Sequence, residues 1–296
     1  CTSLVAATAD GVRCTTAFKL RRSSSATSTS AFLCARPAPD APFATMCTML
    51  GAYTVRTEHE HACRAPASPS QQYAGYHSSM LTLDALFKNP ELPDMFSGLL
   101  VGDRPWSPLA HLDSALESVS ANVQGHVHPS AEIEGAVFVA AGASVGPGAF
   151  VQGPAWIGPD AEVGHGALVR GGVILARGAK VGHASEIKHA LLLEDAKAPH
   201  FNYVGDSIVG ARVNLGAGVK LANFRADGAE VKVDGEPTGL RKFGAILGDD
   251  VSIGCNAVTS PGTIVGPGSM IYPGASVRGV FAAGTVIKRP FDTPDV

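Results

Sequence analysis

The sequence predicts an all-β solenoid, a parallel β-helix built from hexapeptide repeats, with a small helical N-terminal cap. Aliphatic residues recur every six positions through twelve unbroken repeats, and Gly or another small residue commonly follows them. Glycine, with 34 residues, and proline, with 20, are abundant, whereas aromatic residues make up only 6% of the chain. Such a composition is typical of short strands that are joined by tight turns and packed with small aliphatic side chains.

The composition also argues against several classes of protein. Charged residues make up 17% of the chain and the formal net charge is −3, so we expect no broad basic surface for nucleic acid. No apolar run approaches the roughly 18 residues of a membrane-spanning helix, so no membrane span is predicted. Five of the six cysteines lie between Cys1 and Cys63, which argues against a disulfide scaffold in the repeat region.

The sequence of residues 1–78 lacks the pattern of a packed domain, and these residues are predicted to form a disordered leader. The stretch 19–30 is basic, rich in Ser and Thr and free of acidic residues, which is typical of an organelle transit peptide. If residues 1–45 are such a peptide, a plastid or another organelle is the expected location. The alternative is a wrongly translated leader with the true start at Met46 or Met80, and it predicts a soluble cytoplasmic protein.

Residues 79–122 are predicted to form a helical cap. Leu83 and Leu86 belong to one apolar stripe, and Leu109 and Leu112 belong to another, at the three- and four-residue spacing of a helix. Prolines between the stripes exclude one continuous helix. A cap over the open end of a sheet stack protects bare strand edges, so we expect a structural role and no chemistry here.

Residues 123–288 carry the repeat, and residues 289–296 form a tail. One run of aliphatic residues at a spacing of six comprises Val127, Ile133, Val139, Val145, Val151, Ile157, Val163, Val169, Leu175, Val181, Ile187 and Leu193. A second run comprises Leu247, Ile253, Thr259, Val265, Ile271 and Val277, and Val209, Leu215 and Leu221 lie between the two. Each hexad supplies one strand and one turn, and three hexads close a coil of about 18 residues with the first-position side chains inside.

The repeat is interrupted twice. The step from Leu193 to Val209 is not a whole number of hexads, and we interpret it as two hexads with four extra residues inside 197–206. A longer polar interruption runs from about Asn223 to Phe243. Regular coils have no need for such departures, and insertions in repeat proteins gather on the working face. Both breaks are therefore predicted to mark the functional site.

The segments around the breaks resemble a known family. They read LVRGG at 168–172, VGHASEIK at 181–188, KAPHFNYVGD at 197–206, VNLGAG at 213–218 and LGDDVSIG at 247–254. These segments are similar to the acetyltransferase domain of bifunctional N-acetylglucosamine-1-phosphate uridyltransferase/glucosamine-1-phosphate acetyltransferases, and to the C-terminal domain of sugar-1-phosphate nucleotidylyltransferases. The resemblance implies a left-handed β-helix of the hexapeptide-repeat acyltransferases. Residues 1–122 show no nucleotidylyltransferase pattern, so we expect no such domain in this chain.

The resemblance implies a role for each matching residue. His200 holds the general-base position, and Asn223 holds a position that helps to bind the developing oxyanion. Substrate-binding positions of the family match Arg170, Glu186, Lys188, Tyr203, Asn214 and Lys242. Fixed cations suit a sugar phosphate, and Glu186 is expected to orient Lys188. The CoA channel of the family matches Ala217, Gly254, Cys255 and Pro273.

Four features depart from the family pattern. Arg170 is followed by Gly-Gly where Pro-Gly is expected, Cys255 stands at a usual Ser, and Phe224 stands at a usual Tyr. The latter two changes remove a hydroxyl group that can form hydrogen bonds. The loop over residues 225–241 is also longer than usual, which alters one wall of the expected site.

The resemblance implies an N-acetyltransferase that moves acetyl from acetyl-CoA, as co-substrate, to the amine of an amino-sugar 1-phosphate. No tightly bound cofactor is expected. One β-helix face cannot enclose a substrate, and the resemblance implies a homotrimer with sites shared between neighbouring chains. Phe150 and Trp156 are candidates for subunit contacts. The alternative is a non-catalytic β-helix that assembles or regulates a separate sugar-1-phosphate nucleotidylyltransferase.

A metal site is a further alternative. His165 and His183 are three hexads apart and are therefore expected to stack on adjacent coils. The family resemblance includes hexapeptide carbonic anhydrases, which hold zinc with three histidines, two of them five residues apart. This chain lacks that pair, so stacked turn histidines are the favoured interpretation and no metal is predicted.

Overall fold

The computed structural model of the protein describes residues 2–8, 11–17 and 82–288. Near the start of the chain, Thr2–Thr8 and Gly11–Ala17 pair as antiparallel strands. The other residues of the expected leader, and the tail, lie outside the described residues, so the leader stays a prediction. Within the described part of the chain, no helix is long and apolar enough to cross a membrane.

From residue 122 onward the chain forms the predicted left-handed parallel β-helix. Its coils have three lateral faces, and equivalent strands of successive coils pair in parallel. The first face is a nine-stranded sheet. Its strands are His126–Val127, Ser144–Val145, Glu162–Val163, Lys180–His183, Lys197–His200, Asn214–Leu215, Ser252–Ile253, Met270–Ile271 and Val286–Ile287.

The second and third faces form one 14-stranded sheet that folds around a corner. Strands of the second face alone are Glu132–Glu134, Phe150–Gln152, Lys220–Leu221, Val258–Thr259 and Ser276–Val277. Strands of the third face alone are Asn122–Val123, Val137–Val139, Ala155–Ile157, Ala245–Leu247, Thr263–Val265 and Val280–Phe281. The long strands Leu168–Leu175, Glu186–Leu192 and Tyr203–Val209 bend around the corner and belong to both faces.

The first-position side chains of the hexads fill the interior, as predicted. Val145 pairs with Val163, and Val163 pairs with Val181, each three hexads further along the chain. Every first-position residue from Val139 to Ile187 is fully buried, and the second run, including Thr259, is at most 2% exposed. The interior is therefore a continuous column of aliphatic side chains, and its burial is the main source of stability.

The first interruption is not an insertion, so that interpretation was wrong. Leu192 takes the interior place predicted for Leu193, which instead packs outward. Val209 pairs with Leu192, and the step between them is one residue short of three hexads. The coil is shortened at the corner between the second and third faces, where His189 and Asp206 have φ angles of 46° and 45°. A residue in this left-handed region turns the chain sharply, and here His189 alone takes the place of Gly171 and Gly172 of the preceding coil.

The second interruption is a true insertion. Lys220 pairs with Val258 of the next coil, and the step between them is more than twice the length of a regular coil. The added residues include a hairpin with strands Lys232–Val233 and Glu236–Pro237. Val231, just before the hairpin, is 1% exposed and belongs to the apolar cluster outside the β-helix. The insertion is therefore packed against the coils.

Within residues 82–121, three short helical segments precede the β-helix. They are α1 (Leu83–Leu86), a 3-10 turn (Asp94–Phe96) and α2 (Ser107–Leu116). The Thr82 hydroxyl accepts a hydrogen bond from the Ala85 amide at 3.2 Å and caps α1. Pro108 lies in the first turn of α2, where its missing N–H costs no hydrogen bond.

The helices pack along the third face and not over an open end, which corrects the predicted position of the cap. On this face, Val173 and Leu175 point inward while Ile174 points outward. Equivalent outward residues in other coils are Leu191, Ile208, Ile246, Ile264 and Val280, all of them buried. An outward apolar row needs a cover, and the leucines of α1 and α2 provide it. In the first coil, Val127 remains only half-buried.

Trp156 also packs under this cover. Its ring stacks on Phe138 with the centroids 4.0 Å apart and meets the edge of Phe96 at 5.4 Å. Because Phe96 comes from the helical segment of the same chain, Trp156 is not free for the subunit contact that we expected of it.

Candidate active site

A cationic ladder lies on the second face, at the corner with the third. Arg170 pairs with Lys188 in the next coil, and Lys188 pairs with Gly205 in the coil after that. The Arg170 Nη1 atom donates to Glu186 Oε1 at 2.9 Å, and this hydrogen bond raises the pKa of Arg170. Glu186 therefore orients Arg170, whereas we had expected it to orient Lys188. The arginine stays protonated, and its half-exposed side chain is accessible to an anion.

The buried carboxylate of Asp206 holds Lys188 in place. The Lys188 Nζ atom lies 3.4 Å from both carboxylate oxygens of Asp206, whose side chain is only 7% exposed. Burial alone raises the pKa of this carboxyl, but His189, Asn223 and Lys188 together hold it below its ordinary value. The sequence had not singled out Asp206 as a site residue, although it ends the matching segment at 197–206 and lies in a shortened corner.

Tyr203 and Asn223 extend the same network. The Tyr203 hydroxyl donates to Asn223 Oδ1 at 3.3 Å, and Asn223 Nδ2 donates to Asp206 Oδ2. A Cβ atom at Gly205 would lie 2.5 Å from Asn223 Nδ2 and 2.7 Å from the Tyr203 hydroxyl. Glycine is therefore required here, because any side chain would displace the network. Burial is the main cause that raises the pKa of Tyr203, which keeps the hydroxyl a donor.

The helical segment reaches this network through His189. His189 Nδ1 lies 3.2 Å from Asp206 Oδ1, although the approach is not aligned for a hydrogen bond. On the other side, His189 Nε2 lies 3.6 Å from Asp113 Oδ1, and Asp113 belongs to α2. The cap therefore contributes a carboxylate at the edge of the candidate site, where we had expected no chemistry. Spacing along the sequence gave no signal of this contact.

His200 and Asn214 lie around the opposite corner. His200 ends a strand of the first face, and Asn214 begins the next strand of that face. Both residues are exposed, and among the described residues neither side chain has a hydrogen-bond or ion-pair partner. Within one chain, the predicted base therefore stands on a different edge from the cationic ladder.

Lys242 lies at the end of the insertion. It forms a bridge with Phe224, which starts the insertion beside Asn223. Both Lys242 and Phe224 are exposed. Lys242, the predicted phosphate ligand, therefore lies near Asn223 in space, although most of the insertion separates the two residues in the sequence.

The predicted CoA residues follow one another along the corner between the first and second faces. The Asn256 amide donates to the Ala217 carbonyl, and the Gly274 amide donates to the Cys255 carbonyl, both at 2.8 Å. A shallow groove of about 190 Å³ lies beside this row and is lined by Ser252, Gly254, Met270, Ile271, Tyr272 and Pro273. Cys255 is a free, exposed thiol. The backbone and apolar groups of this groove suit an extended flexible chain.

His165 and His183 stack on adjacent coils, as predicted. Their rings lie 4.9 Å apart, their Nδ1 atoms are 3.0 Å apart, and His183 meets the edge of Phe201. Within the described residues, no group of three or more His, Cys, Asp or Glu side chains is placed to hold a metal ion.

The comparisons with known proteins agree with the resemblance read from the sequence. A family model described as the GMPPB C-terminal domain matches residues 151–239. The bifunctional protein GlmU of Methanococcus maripaludis strain C7 is 50% identical over 165 residues, which is 55% of this chain and 40% of the relative. The bifunctional sugar-1-phosphate nucleotidylyltransferase/acetyltransferase of Sulfurisphaera tokodaii is 42% identical over 84 residues, 27% of this chain and 21% of the relative. The chain thus spans less than half the length of these relatives.

The chain is also similar to solved structures, at low sequence identity. The UDP-N-acetylglucosamine acyltransferase of Campylobacter jejuni is 17% identical, with a TM-score of 0.28, covering 54% of this chain and 68% of that one. The polySia-specific acetyltransferase NeuO is 15% identical, with a TM-score of 0.36, covering 58% and 83%.

Proposed function

We propose that the chain is an N-acetyltransferase that moves acetyl from acetyl-CoA to the amine of an amino-sugar 1-phosphate in nucleotide-sugar synthesis. The observation that carries the proposal is the ladder of Arg170 and Lys188, held by Glu186 and Asp206 on one corner of the β-helix. Two fixed cations over a polar network suit a sugar phosphate. The name of the Sulfurisphaera tokodaii relative, which combines sugar-1-phosphate nucleotidylyltransferase and acetyltransferase, supports the same substrate class.

In the proposed reaction, the amine nitrogen attacks the thioester carbonyl carbon. The C–N bond forms, the C–S bond breaks, and CoA leaves as the thiolate. His200 accepts the proton that the amine loses, since a neutral imidazole serves as a base near pH 7. An N–H of Asn223 stabilises the negative charge on the carbonyl oxygen. Because Asn223 already donates one N–H to Asp206, its second N–H is the one available.

The proposal requires more than one copy of the chain. His200 lies on one edge of the second face, whereas Arg170 and Lys188 lie on the other. A ring of three parallel β-helices would bring opposite edges of neighbouring chains together. We therefore propose a homotrimer in which each active site takes residues from two chains.

Release of CoA thiol from acetyl-CoA tests the proposed activity. Glucosamine 1-phosphate, galactosamine 1-phosphate and unphosphorylated glucosamine are compared as acceptors, with acetyl-CoA alone as the blank. We expect release with at least one of the two phosphates and much less with the unphosphorylated sugar. Equal release with the phosphorylated and the unphosphorylated sugar would contradict phosphate binding by Arg170 and Lys188. No release with any acceptor would contradict the proposed activity.

The second candidate is a non-catalytic β-helix that assembles or regulates a sugar-1-phosphate nucleotidylyltransferase. The match of residues 151–239 to a C-terminal domain, and the hydroxyls missing at Phe224 and Cys255, favour this reading. The same assay separates the two candidates, because a non-catalytic subunit binds acceptor or partner without releasing CoA thiol.

A further inference from the structure

We propose that Asp206 is a positioning residue that holds the phosphate-binding lysine and the oxyanion-binding asparagine in one geometry. This inference rests on the proposed function, in which Lys188 binds the sugar phosphate and Asn223 binds the oxyanion. Nothing in the sequence pattern assigned a role to Asp206, and it does not itself reach substrate, because it is 5% exposed beneath Lys188.

A comparison with a second buried aspartate shows what is unusual about Asp206. Asp249 is 3% exposed, and its carboxylate accepts hydrogen bonds from the backbone amides of Lys88 and Ala211. Those contacts tie the helical segment to a coil, which is a structural role. Within the described part of the chain, the carboxylate of Asp206 instead contacts side chains that lie on the candidate site. A buried carboxylate needs partners, and here the partners are Lys188, His189 and Asn223.

The shortened corner explains how Asp206 reaches all of them. With its φ angle of 45°, Asp206 occupies the turn that a full coil would build with one more residue. The side chain therefore lies between Lys188, which belongs to the preceding coil, and Asn223, which belongs to the following one. A left-handed conformation costs free energy in a non-glycine residue, and it is retained where the surrounding contacts compensate for that cost.

The consequence is a coupling between two groups that do not touch. In residues 82–288, no hydrogen bond joins Lys188 to Asn223, yet each contacts Asp206. Asn223 is fixed at both ends of its amide, since Oδ1 accepts from Tyr203 while Nδ2 donates to Asp206. Loss of the carboxylate charge would free Lys188 and loosen Asn223 at the same time. Phosphate affinity and turnover should then fall together.

Steady-state kinetics of Asp206→Asn test this, with Asp249→Asn as the matched control. We expect Asp206→Asn to raise KM for the amino-sugar phosphate about tenfold and to lower kcat about tenfold, with KM for acetyl-CoA unchanged. Asp249→Asn should lower the melting temperature and leave all three constants near wild type. If Asp206→Asn lowers only the melting temperature, as the control does, the proposal is overturned.

If Asp206→Asn does not fold, a double-mutant cycle on Lys188→Ala and Asn223→Ala gives the answer instead. Each single change already disturbs the other residue through Asp206, so the double variant should lose less kcat/KM than the product of the two single losses. A loss equal to the product of the two single losses would show that the residues are independent, and it would overturn the proposal.

A second readout does not depend on catalysis. Acetic anhydride at low dose labels exposed lysines, and mass spectrometry compares the labelling of Lys188 with that of Lys197, an exposed lysine of the first face. We expect this ratio to rise at least threefold in Asp206→Asn. A higher ratio in Asp206→Asn, together with no release of CoA thiol by the wild-type chain, would refute the proposed function while supporting the role of Asp206. An unchanged ratio would refute the role of Asp206 whatever the activity.

Discussion

Between its terminal coils, each of which is two residues short of three hexads, the β-helix departs from its regular coil in two regions, and the two departures are built in opposite ways. At the corners of His189 and Asp206, coils are one residue short, and the turning residues are polar side chains in a left-handed conformation. Between Asn223 and Phe243, one coil is more than twice the regular length, as the step from Lys220 to its partner Val258 shows. Shortening brings polar groups together, whereas lengthening adds a hairpin with its own apolar packing.

The difference separates two requirements of a site on a regular solenoid. The short corners concentrate charge, because Lys188 and His189 both lie within ion-pair distance of Asp206. The long corner supplies a wall, because Val231, Val233 and Phe243 are buried while Lys242 stays exposed. Changes in the short corners should therefore affect activity, and changes at the buried apolar residues of the long one should affect stability.

The largest expected effect belongs to His200, on the edge of the second face opposite the short corners. His200→Ala removes the proposed base, so we expect kcat to fall about 100- to 10,000-fold with little change in the melting temperature. Steady-state CoA release measures the first quantity and thermal unfolding the second. His165→Ala is the control, because it removes an exposed histidine on the same edge. Turnover near wild type in His200→Ala would remove this residue from the mechanism.

How far the sequence predicts these regions depends on what its period can show. The six-residue spacing identified the interior residues correctly from Val139 to Ile187 and in the second run, because full coils repeat every three hexads. It misplaced Leu193, where the coils become short. The same spacing misread the short corners as an insertion, since a lost residue and an added loop both break a period. It also missed the outward row of Ile174, Leu191 and Ile208, because an apolar residue beside an interior one has no separate period of its own.

The candidate site was predicted only in part, for a similar reason. Motif matches named Arg170, Lys188 and Asn223, which the fold brings to one corner. They also named His200, which lies on another edge. Asp113 had no signal, because its contact with His189 depends on how α2 lies across the coils.

A stability measurement examines the long region. Phe243 is fully buried at the foot of the insertion, so Phe243→Ala should lower the free energy of unfolding by about 3–5 kcal/mol. Phe224, at the other foot, is 49% exposed, and Phe224→Ala should change it by about 0.5 kcal/mol or less. Urea denaturation gives both values. Equal losses would mean that the insertion is not anchored on Phe243.

A smaller kinetic effect is expected from the ladder itself. Lys188→Ala removes one cation from the clamp, so KM for the amino-sugar phosphate should rise about tenfold while KM for acetyl-CoA stays constant. Lys180→Ala, which removes a lysine paired with Glu162 on the first face, serves as the control. An equal rise in KM for the phosphorylated and unphosphorylated sugars would place Lys188 outside the phosphate clamp.

The smallest signal is a recovery of activity between inactive chains. His200→Ala and Lys242→Ala damage opposite sides of the proposed shared site, so random mixed trimers should regain roughly a quarter of wild-type activity. The chains are unfolded together, refolded and assayed, with each variant refolded alone as the control. Light scattering that finds a stable, active monomer would contradict the shared site.

The helical segment along the third face has a consequence for how the protein opens. In a solenoid each coil normally contacts only its neighbours, so unfolding can begin at either end and proceed one coil at a time. Here α2 lies against three successive long strands, and α1 is tied to Asp249 one coil further on. Coils that contact the helical segment must open together, whereas the first coil, with Val127 half-buried, can open alone. Amide hydrogen exchange should therefore be slow as one block beneath the helices and fast in that first coil.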